Sequence, residues 1–159
     1  MYKFIINSQY NSGGDYMKEN INALDEINKG ATMGMDAIHF IIDKIDNSDF
    51  KGIVKKQYKD YEDTSKHIKE IYEKYNSDDE PHKTSVVNKV MTWYGVEMKT
   101  LTDKSDSKIA ELLLQGTNMG IIEGRRILNN KALDDEVKEI MNNYVTMQEE
   151  CVEKLKEYL

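Results

Sequence analysis

The run LDEINKGATMGMDAIHFIIDKI, residues 24–45, decides how this chain is read. Leu24, Ile27, Ala31, Gly34, Ile38, Ile41 and Ile45 recur at spacings of three and four, which places them on one stripe of an amphipathic helix. Gly30 and Gly34 lie inside that helix, although a mid-helix glycine costs about 1 kcal/mol against alanine. The same Gly-x-x-Met-Gly core returns in QGTNMG, residues 115–120. A cost incurred twice calls for a packing reason.

Laying the two stretches on each other without gaps pairs Gly30 with Gly116, Met33 with Met119, Gly34 with Gly120 and Ile41 with Ile127. After one extra residue in the next loop, Phe50 pairs with Val137, Val54 with Met141, Thr64 with Cys151 and Ile68 with Leu155. The chain reads as one helical hairpin used twice, an internal repeat. In that arrangement the glycines are expected where the first and fourth helices approach, the missing Cβ atoms letting the backbones close in. Met33 and Met119 are then expected to fill the irregular space that remains.

From Met17 the pattern divides into five helical segments, about 18–46, 49–76, 83–102, 105–130 and 133–159. The second carries the stripe Phe50, Val54, Gln57, Tyr61, Thr64, Ile68, Ile71 and Tyr75. The fifth carries Val137, Met141, Tyr144, Gln148, Cys151, Leu155 and Tyr158. The shorter third carries Val87, Met91, Tyr94, Met98 and Leu101. DNSD (46–49), NSDDEPHK (76–83) and TDKSDS (102–107) separate them with turn and cap chemistry. A single proline, Pro81, leaves the helices long. The sustained four-three spacing predicts an all-α fold. The expected form is an up-down four-helix bundle of hairpins 18–76 and 105–159, with an additional short helix at 83–102 between them, in one domain spanning 17–159.

The opening stretch MYKFIINSQYNSGGDY, residues 1–16, has no helical period and ends in a loop composition. It is expected to pack on nothing. It reads either as a disordered or strand-like arm or as an upstream over-call with Met17 the biological start. Gly-Gly-Asp-Tyr-Met can be encoded by a purine tract spaced like a ribosome-binding site ahead of a start codon.

A net charge of −7 with acidic and basic residues interleaved argues against a nucleic-acid surface, which needs a basic face. The single cysteine, Cys151, excludes an intramolecular disulfide and an all-cysteine zinc site, and fits a reducing compartment. No stretch approaches the roughly 20 apolar residues of a membrane span, and no signal-peptide pattern opens the chain. A cytoplasmic protein is expected, and the heavy use of Lys, Asn, Ile and Tyr suits an AT-rich bacterial genome. No phosphate loop, hydrolase elbow or zinc motif occurs.

With LDEINKG opening the first hairpin and AELLLQG the second, the layout resembles the ferritin-like superfamily. It is most similar to small bacterial families of unassigned function that carry an extra short helix between the hairpins. The resemblance implies a place for a metal pair: a glutamate on the first helix of each hairpin and a Glu-x-x-His pair on the second, all pointing inward. In rubrerythrin-like relatives the first glutamate directly follows the glycine. Carried onto this chain, those positions are Ala31 and Thr117, Thr64 with His67, and Cys151 with Lys154. Only His67 suits a metal, and a dinuclear centre needs several carboxylates.

The expectation is therefore a bundle without metal or other cofactor, a structural or binding module, with the question of catalysis left open by the sequence. The alternative is a metal-binding redox or storage protein holding iron, manganese or zinc at a relocated site of Asp63, His67 and Glu150. Asp36 and His39 form a second acid-histidine pair, but Asp36 lies about 200° from Ile38, so that pair reads as exposed. Cys151 reads as a small buried hydrophobe and not as a nucleophile.

Tyr58, Tyr61, Tyr72, Tyr75, Tyr144 and Tyr158 read as packing residues with hydroxyls at the rim, or as the lining of a small-ligand pocket. Val86, Val90 and Trp93 on the third helix, with Met33, Ala37 and Phe40 beside the first stripe, leave surplus apolar surface. That surplus points to a homodimer or another protein partner.

Overall fold

The computed structural model describes residues 10–75, 81 and 89–159, and of residues 10–12 and 89–93 the backbone alone. The described residues form helices and no strand: α1 (Tyr10–Ile41), α2 (Ser48–Tyr75), α3 (Lys89–Lys99), α4 (Asp106–Asn130) and α5 (Asp135–Lys156), with a 3₁₀ turn at Ile42–Lys44. Val86 and Val87 lie outside the described residues, as do the side chains of Val90, Met91 and Trp93. Helix α1 runs back to Tyr10, so residues 10–16, expected to pack on nothing, continue the helix. The Tyr16 phenol lies beside Asp134. Residues 1–9 of the expected arm lie outside the described residues.

Local chemistry sets the helix ends. Asn47 caps α2, its Oδ1 accepting from the amides of Asp49 at 2.9 Å and Phe50 at 3.0 Å, which satisfies first-turn donors that have no partner within the helix. Ser105 caps α4 in the same way, Oγ accepting from the Lys108 amide. Asp134 precedes α5 without such a cap, because its carboxylate accepts instead from the Tyr75 hydroxyl at 2.7 Å.

These end contacts also set the direction of each helix. The Asp106 carboxylate, at the start of α4, accepts from the amides of Asp46 and Asn47 just beyond α1. Glu19, near the start of α1, accepts from the Ala132 amide just beyond α4. Hence α1 and α4 are antiparallel. Lys74, at the end of α2, pairs with Glu136, at the start of α5, at 2.7 Å. At the other end the Phe50 ring stacks on Tyr158, centroids 4.5 Å apart. Hence α2 and α5 are antiparallel as well.

The four long helices therefore run up, down, down and up in chain order. The strict up-down alternation expected from sequence is corrected here. Neighbours in space are antiparallel, but the chain must cross the length of the molecule between α2 and α4, and α3 lies on that crossover.

The stripes read from sequence make the core. Leu24, Ile27, Ala31, Ile38, Ile41, Phe50, Val54, Ile68, Val137, Met141 and Leu155 are all buried. Tyr94 and Met98 bring α3 onto the same core. Residues of this size each gain about 1.5–3 kcal/mol on full burial, which outweighs the propensity cost of the helical glycines. Among the described residues no helix is long and apolar enough to cross a membrane.

Candidate functional site

The glycines of α1 and α4 face side chains of the other helices and not one another. A Cβ on Gly30 would overlap the Tyr144 hydroxyl of α5, and one on Gly34 the Tyr61 ring of α2. On α4, a Cβ at Gly116 would meet the Tyr94 hydroxyl of α3, at Gly120 the Gln148 amide, and at Gly124 Val145. The expected meeting of Gly30 and Gly34 with Gly116 and Gly120 is thus replaced by contacts with side chains of the other helices. Each glycine seats a side chain from α2, α3 or α5. Gly34 with Tyr61 and Gly120 with Gln148 are corresponding pairs in the alignment of the two hairpins, once the one extra loop residue is allowed for.

Between α1 and α4 this leaves a cavity of about 660 Å³. Met33, Met119, Ile122 and the glycines line its outer part, so the two methionines border the space without filling it. Its inner wall is polar but uncharged: Gln57, Tyr61, Tyr94, Thr117, Tyr144 and Gln148, all buried. The charged residues that border it, Glu26, Lys29, Glu123 and Arg126, are exposed or half-buried. Lys29 pairs with Glu26 at 2.9 Å, and Arg126 pairs with Glu123.

The inner wall is a hydrogen-bond network. Gln57 donates from Nε2 to the hydroxyls of Tyr61 at 3.1 Å and Thr117 at 3.0 Å. Thr117 donates its own hydroxyl proton to the Leu113 carbonyl at 2.8 Å. Tyr94 donates to the Leu112 carbonyl at 2.9 Å. Burial raises the pKa of Tyr61, Tyr94 and Tyr144, because a phenolate there would lose its hydration. The three phenols are therefore neutral at physiological pH.

Two amide atoms of this wall lack a partner, Gln57 Oε1 and Gln148 Nε2. Gln148 lies beside the Tyr144 phenol, yet its Nε2 makes no hydrogen bond of proper geometry. Unmatched buried polar atoms cost about 1–3 kcal/mol each, so their place around one cavity needs an explanation. The arrangement can bind an apolar body and satisfy uncharged hydrogen-bonding groups at its inner end.

The positions to which the family resemblance assigns metal ligands are filled otherwise. Ala31, Thr117 and Cys151 are buried and carry no carboxylate, and Thr64 turns its hydroxyl back onto the Asp60 carbonyl at 2.8 Å. His67, the single ligand type surviving there, is exposed. Asp63, His67 and Glu150 border a separate shallow groove of about 390 Å³ between α2 and α5. All three are exposed, and the Asp63 carboxylate is taken by Lys59 at 2.7 Å, which lowers its pKa. Among the described residues no three His, Cys, Asp or Glu side chains are placed to hold a metal ion. The three residues of the alternative site thus share one groove, with the Asp63 carboxylate held by Lys59.

Asp36 and His39 are exposed on α1. Cys151 is buried, and that burial pushes its thiol up to about 12, far from a reactive thiolate. Of the tyrosines singled out by sequence, Tyr61 and Tyr144 reach the cavity, while Tyr72 lies in the core and Tyr58 is exposed. The sequence reading missed Gln57 and Gln148 as functional candidates. Their signal was present, since each is a polar residue on an otherwise apolar stripe.

Compared with known proteins, the chain matches no family model, no curated protein and no solved structure.

Proposed function

We propose that this chain is a ferritin-like four-helix bundle, built from a repeated hairpin, that works without a metal as a binding module for a small molecule. The lengthwise crossover between α2 and α4 supports the ferritin-like part, because bundles of that kind carry one long connection. The corresponding seats of Tyr61 on Gly34 and Gln148 on Gly120 support the repeat.

One observation carries the binding role. A cavity of ligand size opens between α1 and α4, and buried amide atoms without partners border it. A purely structural bundle gains nothing from that combination, since apolar side chains of the same volume would remove the unmatched polar atoms. Association into a homodimer belongs to the same proposal, supported by Phe40, Val96 and Ile122 standing exposed.

The test is native mass spectrometry and elemental analysis of protein purified without chelators, followed by thermal shift against a metabolite library. The expected outcome is a small organic adduct, or library compounds that raise the melting temperature, with iron, manganese and zinc all well below stoichiometric. Stoichiometric metal, or no adduct and no stabilising compound, would overturn the binding reading. Light scattering that returns the mass of one chain would remove the homodimer.

A further inference from the structure

We infer that the cavity between α1 and α4 is built for an uncharged aromatic amide, whose N–H donates to Gln57 Oε1 and whose carbonyl accepts from Gln148 Nε2. This rests on the binding-module reading and names the class of its ligand.

The orientation of Gln57 follows from its neighbours. Thr117 has used its only hydroxyl proton on the Leu113 carbonyl, so it can only accept from Gln57. The amide nitrogen must face Thr117, and Oε1 is the atom left over. Gln57 is 3% exposed and borders the cavity, and its carbonyl oxygen has no donor within the protein. Gln148 is 1% exposed and borders the same cavity, its amide resting in the space left by Gly120 and its Nε2 unmatched. One acceptor and one donor on the protein select a ligand edge that offers one donor and one acceptor, as a carboxamide or a lactam does.

The absence of charge on the inner wall selects a neutral group. A carboxylate or ammonium placed there would lose its hydration and meet no counter-charge. The charged residues at the mouth are exposed or half-buried and already paired with each other. The wall also selects the body of the ligand. The rings of Tyr61 and Tyr144, with centroids 6.3 Å apart and planes tilted by 48°, present faces and edges suited to another ring. Met33 and Met119 add polarisable sulfur near the opening. A space of about 660 Å³ admits a molecule of two or three fused rings.

Calorimetry on the full chain, with benzamide and isoquinolin-1-one against benzoate and benzylamine, tests this. The two amides are expected to bind at least tenfold more tightly than the acid and the amine. In Gln148→Leu that preference is expected to vanish while the melting temperature stays equal or rises, because the lost Nε2 had no partner inside the protein. Gln148→Met serves the same purpose should leucine disturb the contact with Gly120.

Amides that bind no better than the charged probes, or a Gln148→Leu protein that keeps the preference, overturn the inference and leave the binding module standing. Failure of all four probes also overturns it. The binding-module reading falls too only on the outcomes already named for it: stoichiometric metal, or no organic adduct together with no stabilising library compound.

Discussion

The amide nitrogen of Gln57 on α2 and the hydroxyl of Thr117 on α4, sixty positions apart in the chain, meet at 3.0 Å inside the protein. This contact ties the two hairpins together where the core is polar. It also fixes which end of the Gln57 amide is left without a partner. Thr117→Val keeps the shape and removes the hydroxyl, stranding a buried donor. The expected loss is about 1–3 kcal/mol, read as a lower urea midpoint with an unchanged slope.

Alanine should have opposite effects at different helical glycines. A methyl group at Gly34 would collide with the buried Tyr61 ring, so Gly34→Ala should destabilise by about 1–3 kcal/mol as overpacking. At Gly52, in the exposed face of α2, a Cβ meets nothing within 4 Å. Gly52→Ala should stabilise by roughly 1 kcal/mol through helix propensity alone. Paired thermal melts check both, and equal shifts would contradict the seating geometry.

Alkali should weaken the fold. Burial raises the thiol of Cys151 to about 12 and raises the phenols of Tyr61 and Tyr144. In the unfolded chain these groups ionise near their ordinary values, about 8.5 and 10, so above those values the folded state holds more protons. Stability is then intact at neutral pH and falls as pH rises, by about 1.4 kcal/mol per pH unit for each group in its window. Urea midpoints between pH 7 and 11 should decline with increasing steepness. The native Cys151 thiol should also resist a disulfide reagent at pH 8 and react only on unfolding.

The triple replacement of Asp63, His67 and Glu150 by alanine should leave the fold almost unchanged. All three are exposed, and surface substitutions of this kind move stability by about 0.5 kcal/mol or less each. Elemental analysis should give the same metal content before and after. Loss of a bound metal ion in the triple variant would revive the α2/α5 groove as a metal site.

Much of the fold was legible in residues 24–45 and in the stripes that follow, because helical periodicity is a local property that each segment displays by itself. The turn chemistry at Asn47 and Ser105 was equally local, and the inward positions of Gln57, Tyr61, Tyr144 and Gln148 could be counted off at intervals of three and four. Only the tertiary structure decided what those residues meet. That Tyr61 rests on Gly34, Tyr94 on Gly116 and Gln148 on Gly120 depends on how helices distant in sequence are rotated and staggered against one another. No stretch of one helix records that register, because it is set by the packing of all of them at once. The same holds for the unmatched amide atoms of Gln57 and Gln148: their partners, present or missing, come from other helices.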